Sequence, residues 1–217
     1  MGLFITFEGL DGAGKSTQIE RLHRRLTGDG KQVVLTREPG GTPVGDRLRD
    51  ILLDPDQTNL SMETEVLLYA ASRAQLLHEV IRPALKQNKT VLCDRYVDAS
   101  LAYQGAGLGI GVDRVGSINA FATQQLKPNL TFLFDLPVQL SQTRVAYSRG
   151  QVQPDRIERR DAEYFNRVRD EFLEIARRDR ARVVVLNGSR PVEDLEKEIR
   201  DVVQKHLERT EVSLGTH

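Results

Sequence analysis

The run Gly9-Leu10-Asp11-Gly12-Ala13-Gly14-Lys15-Ser16, continued by Thr17, constrains this chain more than any other feature. A glycine, a four-residue gap, then glycine, lysine and serine is the spacing of a phosphate-binding P-loop. The flanking residues agree with it. Leu3-Phe4-Ile5-Thr6-Phe7 upstream is a short apolar run suited to a buried strand, and Ile19, Leu22 and Leu26 downstream recur at helical spacing. A strand, a glycine-rich turn and a helix start aim several backbone N–H groups at one point, at the positive end of a helix. Glycines let that backbone close around phosphate oxygens where a Cβ would collide. Lys15 then reaches the β- and γ-phosphates, and the Ser16 hydroxyl is suited to Mg²⁺.

The 217 residues are enough for one substantial core, so a single domain over 1–209 is expected, with a polar, disordered tail at 210–217. The 31 basic and 31 acidic residues cancel, which argues against a nucleic-acid or membrane partner held by a global field. Cys93 is the single cysteine and excludes an intrachain disulfide; it lies in an apolar run and reads as a small buried hydrophobe. No segment reads as a signal peptide or a transmembrane span, and a cytoplasmic protein is expected.

Strand and helix patterns alternate along the chain. After Leu3–Phe7, strands are expected at Gln32–Thr36, Val91–Asp94, Thr131–Asp135 and Val183–Leu186. Helical spacing covers Glu63–Leu85, Asp161–Arg180 (with Phe165, Val168, Phe172 and Ile175 on one face) and Val192–Leu207. Such alternation implies an α/β fold, a parallel sheet covered by helices on both faces, with ligands at the carboxyl ends of the strands.

Chemistry-bearing residues cluster after those strand ends. Asp94 and Asp135 each end a strand, as either a Mg²⁺ partner or a turn cap; Asp94 is the better candidate because Arg95-Tyr96 follow it. Arg95 suits a bidentate grip on phosphate, and Ser100, Tyr103 and Gln104 suit a sugar and a base edge. Glu38-Pro39-Gly40-Gly41 makes a tight turn after the second strand, and Arg49 lies on a short helix starting near Val44. Tyr69 and Arg73, four apart on one helix, can face the same cleft. The basic stretch Arg144–Arg160 is broken by Gly150 and Pro154, so helix, loop and helix make a short mobile lid over about 144–160. There is no Ser-His-Asp pattern, no Cys/His metal cluster and no nucleophile elbow; a phosphate acceptor, already ionised, needs none of these.

With Phe7–Thr17, Thr36–Thr42, Tyr69–Arg73 and Asp94–Gly105 in this order and at these separations, the chain resembles the thymidylate kinases, P-loop nucleoside monophosphate kinases. The resemblance runs from Leu3 to about Leu207. It implies a P-loop NTPase three-layer fold with a five-stranded parallel sheet flanked by helices and a lid. It also implies phosphoryl transfer from ATP to dTMP with Mg²⁺ as cofactor, in a homodimer. ATP would lie on Gly9–Thr17, with Arg144 against adenine. The dTMP phosphate would meet Arg95 and Arg49, with Glu38 and Pro39 lining the same pocket. Asp11 would lie near the 3′-hydroxyl and Tyr103 would crowd the 2′ position. Tyr69 would stack on thymine, Arg73 would bond O4, and Ser100 and Gln104 would contact the base. Ser16 and Asp94 would hold the metal. Lys15, Asp11, Arg95 and a lid arginine would form the catalytic set. Gly12 stands where one group of the family carries its arginine inside the P-loop, so the chain is similar to the bacterial group, with Arg149 preferred and Arg156 the alternative. Tyr69 departs from the usual Phe, and Ala99 from a usual hydroxyl residue.

Two other readings fit less well. A GTPase switch uses an Asn-Lys-x-Asp run, and Asn88-Lys89-Thr90-Val91 lacks the final Asp. A deoxynucleoside kinase needs a base for a 5′-hydroxyl, a role open to Glu38, but Arg95 and Arg49 suit an acceptor that already carries phosphate.

Overall fold

Side chains alternate across the first strand, and that alternation sorts the molecule into layers. In β1 (Phe4–Gly9), Ile5 and Phe7 join one apolar cluster, with Ile19, Leu22 and Leu26 from helix α1 (Lys15–Gly28). Phe4 joins a second cluster on the opposite face, where Thr6 and Glu8 also point. The computed structural model describes residues 2–214.

The chain continues through β2 (Val33–Arg37), α2 (Pro43–Leu53) and α3 (Met62–Leu76), then a π-helical turn at Leu77–Ile81 into α4 (Arg82–Lys86). Next come β3 (Thr90–Asp94), α5 (Val97–Ser100), a π-helical segment Leu101–Gly107 and α6 (Val112–Thr123). The last elements are β4 (Leu130–Asp135), α7 (Val138–Arg149), α8 (Ala162–Arg178), β5 (Val183–Asn187) and α9 (Val192–Leu214). All strands pair in parallel in the order β2-β3-β1-β4-β5. The five expected strands and the flanking helices are therefore present. The helical pattern of Glu63–Leu85 is divided by the π turn. The backbone of α9 stays helical beyond residue 209, where the sequence pattern implies the tail begins; residues 215–217 lie outside the described residues.

Local chemistry explains the helices that shape the site. Thr42 caps α2 by accepting from the Gly45 N–H at 2.9 Å, with Pro43 in the first turn. Ser61 caps α3 through the Thr64 N–H at 3.1 Å, and Asp161 caps α8 through the Tyr164 N–H at 2.7 Å. Phe7 packs on Phe132 and Phe134 with ring centroids 5.5 and 6.4 Å apart, which fixes β1 beside β4.

The register aligns Phe7 with Asp94 and Arg37 with Asp94, so β1, β2 and β3 end side by side. Gly9 closes β1 at φ 129°, and a Cβ there would stand 2.4 Å from the Phe134 carbonyl oxygen. A Gly9→Ala variant is therefore expected to lose at least about 2 kcal/mol of stability, because backbone must move to admit the methyl group. Urea unfolding of the two proteins measures it.

Candidate active site

The P-loop turns over the end of β1 with Gly9, Gly12 and Gly14 all at positive φ. Gly14, at φ 97°, precedes the first residue of α1, and no side chain caps that helix start. Its N–H groups are left for an anion, as the motif requires. Lys15 is buried and folds back over the loop, donating to the Gly9 and Leu10 carbonyls at 3.1 and 2.9 Å. Burial, and then Arg95 nearby, lower its pKa from the usual lysine value. Helix α7 braces the loop from the far side. The Ser141 hydroxyl donates to the Asp11 carbonyl at 2.7 Å, and Arg144 donates to the Gly12 and Gly188 carbonyls at 3.2 and 2.9 Å.

Beside the cradle opens a cavity of about 270 Å³. Asp11, Glu38, Pro39, Arg49, Tyr69, Arg73, Arg95, Ser100, Tyr103 and Gln104 all line it, so every acceptor-side residue expected from the sequence converges there. Tyr69 is half-buried on its wall. Arg73 is 1% exposed, where a solvated helix face is the ordinary place for an arginine. Its guanidinium bonds Glu38 Oε2 at 2.6 Å, Ser100 Oγ at 3.0 Å, the Tyr96 carbonyl at 3.0 Å and Asn119 Oδ1. Arg49 donates to the Pro39 carbonyl at 2.9 Å.

Arg95 links cavity and cradle. It has φ 69°, a conformation few non-glycine residues take, and it donates to the Gly9 carbonyl at 3.0 Å and to Asp11 Oδ1 at 2.7 Å. Its guanidinium also lies 4.9 Å from the Tyr103 ring centroid. Lys15 Nζ is 3.7 Å from the same Asp11 oxygen. The Asp11 carboxyl is half-exposed, and although partial desolvation in the loop acts to raise its pKa, Arg95 and Lys15 outweigh it and hold the carboxyl at about 2. One carboxylate thus sits between the cation of the phosphate cradle and a cation of the cavity.

The two strand-end aspartates part company. Asp94 Oδ2 accepts from the Ser16 hydroxyl at 3.3 Å, and Asp94 Oδ1 is buried without a partner. Asp135 instead forms a two-pronged ion pair with Arg169 at 2.6 and 3.0 Å. Among the described residues no group of three or more His, Cys, Asp and Glu side chains is placed to hold a metal. A cation at Ser16 and Asp94 would complete its shell with phosphate and water, as Mg²⁺ commonly does.

In the lid, Arg149 pairs with Glu158 at 2.7 Å, half-buried, and its Nε has no partner. Arg156 is held more firmly, by the Leu52 carbonyl at 2.9 Å and by Glu65 at 2.7 Å. Gly150 sits between them at φ 62°.

Several site residues are not evident from the sequence pattern. Asp155 and Glu158 line the cavity from the lid, although their mixed-charge segment reads equally as a solvated connector. Asn119 on α6 meets Arg73 only through the tertiary fold. Glu65 has a sequence signal, since it precedes Tyr69 by one helical turn. Glu8 is fully buried in β1; its Oε1 accepts from the Tyr96 N–H at 2.7 Å and its Oε2 has no partner. Burial, followed by nearby Asp98, pushes its pKa up to about 8 against the opposing pull of Arg95. The folded state thus holds this proton where the unfolded chain, near the usual carboxyl value, does not, and stability must fall as pH rises through that window. Thermal unfolding is expected at lower temperature at about pH 9 than at about pH 6, with a smaller difference in Glu8→Gln.

Comparison with known proteins agrees with this geometry. The family model described as thymidylate kinase matches residues 7–199. The chain is 52% identical to a thymidylate kinase of Deinococcus radiodurans, over 91% of this chain and 94% of that one. It is 48% identical to a thymidylate kinase of Exiguobacterium sibiricum, over 97% of this chain and 98% of that one. The crystal structure of thymidylate kinase from Ehrlichia chaffeensis superposes with a TM-score of 0.75 at 32% identity, covering 93% of this chain and 98% of that one. With strand order, phosphate cradle, arginine-lined cavity and nearly full-length identity in agreement, this chain belongs to the thymidylate kinase family.

Proposed function

We propose that the chain performs the reaction of its family, transfer of the γ-phosphoryl group of ATP to dTMP giving dTDP and ADP, in dTTP biosynthesis. Family membership makes it a kinase. The observation that carries the assignment of its site is the Asp11 junction, where Lys15 at 3.7 Å and Arg95 at 2.7 Å meet on one carboxylate between cradle and cavity. Two phosphates brought to either side of that junction would face each other with cations already in place.

The division of labour we propose is the one the family resemblance implies, and the convergence of these residues on one cavity supports it. The Gly9–Thr17 backbone and Lys15 hold the donor phosphates, and Arg144 flanks the adenine. Arg95 and Arg49 hold the acceptor phosphate. Tyr69, Arg73, Ser100, Tyr103 and Gln104 enclose the nucleoside, with Glu38 and Pro39 behind Arg73 and Arg49. The acceptor oxygen is already largely ionised near neutral pH, so no side chain has to remove a proton. Catalysis then rests on positioning and on cations aimed at the transferring group, Lys15 from the loop and Arg149 from the lid. Ser16 and Asp94 are the residues that would hold Mg²⁺. The cation would neutralise charge on the donor phosphates. The unpartnered Asp94 Oδ1 supports this reading.

A homodimer is part of the proposal. Leu67 on α3 and Phe121 on α6 are exposed large apolar residues on neighbouring helices, which supports a covered face there. No helix among the described residues is long and apolar enough to cross a membrane, and the one cysteine is a free buried thiol, which supports a cytoplasmic site of action.

A coupled ADP-release assay tests the assignment. With Mg-ATP, strong turnover is expected with dTMP, weaker with dUMP and none with thymidine; chelation of the metal should abolish it. Turnover with thymidine but not dTMP would reject a phosphate-bearing acceptor.

A further inference from the structure

Glu65 does not line the cavity, yet it is tied to three residues around it. It is 1% exposed, on the face of α3 that also presents Tyr69 one turn later and Arg73 two turns later. Its Oε2 accepts from Arg156 at 2.7 Å and from Arg160 at 2.6 Å. Its Oε1 accepts from Gln104 Nε2 at 3.0 Å. A carboxylate buried this deeply needs cationic partners, and two guanidiniums supply them. An ionised carboxylate has lone pairs and no proton to give. Gln104 can therefore meet it only with the amide NH₂ group. The other pole of that amide, the carbonyl oxygen, is what remains for the cavity that Gln104 lines.

We propose that Glu65 is a positioning residue that locks the amide of Gln104 with its oxygen toward the base, and so selects a pyrimidine whose ring nitrogen carries a proton. Thymine and uracil present such an N–H beside a carbonyl that the donors of Arg73 and Ser100 complement. A cytosine edge presents a bare ring nitrogen beside an amino group, and it meets an acceptor with an acceptor. Without the carboxylate, rotation by half a turn exchanges the amide nitrogen and oxygen at little cost, because the two poles are nearly the same size. Gln104 would then adapt to either base. Arg156 and Arg160 tie the same carboxylate to the lid end of the chain, so the lock and the lid share one anchor. This inference rests on the assignment of the cavity to dTMP.

The test compares kcat/KM for dTMP with that for 5-methyl-2′-deoxycytidine 5′-monophosphate, which differs from dTMP only at the base edge. In Glu65→Gln the preference for dTMP is expected to fall by about tenfold or more. A merely structural role would lower both constants together and leave their ratio unchanged, and the ratio is independent of the fraction of folded enzyme. Gln104→Leu and the double variant Glu65→Gln/Gln104→Leu should share one ratio, since Glu65 acts through Gln104. A Glu65→Gln ratio within about twofold of the parent, or a double variant well below Gln104→Leu, overturns the inference. Failure of the parent enzyme to phosphorylate dTMP would instead remove the assignment on which the inference stands.

Discussion

An Arg95→Ala variant is expected to lose about a hundred- to a thousandfold in kcat/KM for dTMP while unfolding near the parental temperature. The size follows from what Arg95 touches. It is the residue that contacts Gly9 of the phosphate cradle, Asp11 and the Tyr103 ring at once, and it also lines the cavity. Its removal leaves the half-exposed Asp11 carboxylate facing an acceptor phosphate with less positive charge between them. The backbone at position 95 already takes φ 69°, which alanine shares no better, so the variant isolates the guanidinium from the turn. Arg95→Lys should recover little, because a point charge cannot form the fork that bonds a carbonyl and two oxygens together. Steady-state kinetics with dTMP varied, beside a melting curve, decide it. Kinetics within about fivefold of the parent would show that acceptor phosphate is held elsewhere.

Arg149→Ala is the second large effect, expected to lower kcat by about a thousandfold with a much smaller change in KM for ATP. The two lid arginines differ in how tightly they are held. Arg156 is bound by the deeply buried Glu65 and by a backbone carbonyl, so leaving that position would take away one of the two guanidiniums that offset a buried carboxylate. Arg149 has a single half-buried side-chain partner, Glu158. It can exchange that partner for a phosphate at small cost, which is what a residue acting only in the transition state requires. Arg156→Ala should instead loosen the lid, with raised KM values and reduced stability. If Arg156→Ala removes kcat while Arg149→Ala leaves it intact, the assignment is reversed.

Sequence and tertiary structure contributed different things to this picture. The P-loop could be read directly because its chemistry depends on consecutive backbone groups; Gly12, Gly14 and Lys15 sit in the loop and at the helix start that the spacing implies. The strands were legible for a similar reason. Short apolar runs such as Val91–Asp94 have to be covered on both faces, and a parallel sheet does that. The residues that line the cavity were legible as a set because they follow strand ends or share a helix face, as Tyr69 and Arg73 do. What each one bonds to was not. Arg73 is an ordinary exposed helix residue by type, and only the tertiary contacts of α3 with α6 and with residues that follow β2 and β3 surround it with Glu38, Ser100 and Asn119. The two strand-end aspartates are separated by position in the sheet. β3 neighbours β1 and brings Asp94 to Ser16, whereas Asp135 ends on the side where Arg169 of α8 arrives. Glu8 is likewise a plain strand glutamate until the fold removes water from it and leaves one oxygen without a partner. Local sequence determines groups that act through contiguous backbone or a single helical period. Burial, partner choice and the shifted proton affinities that follow from them belong to contacts between residues far apart in the chain, and only the tertiary structure decides those.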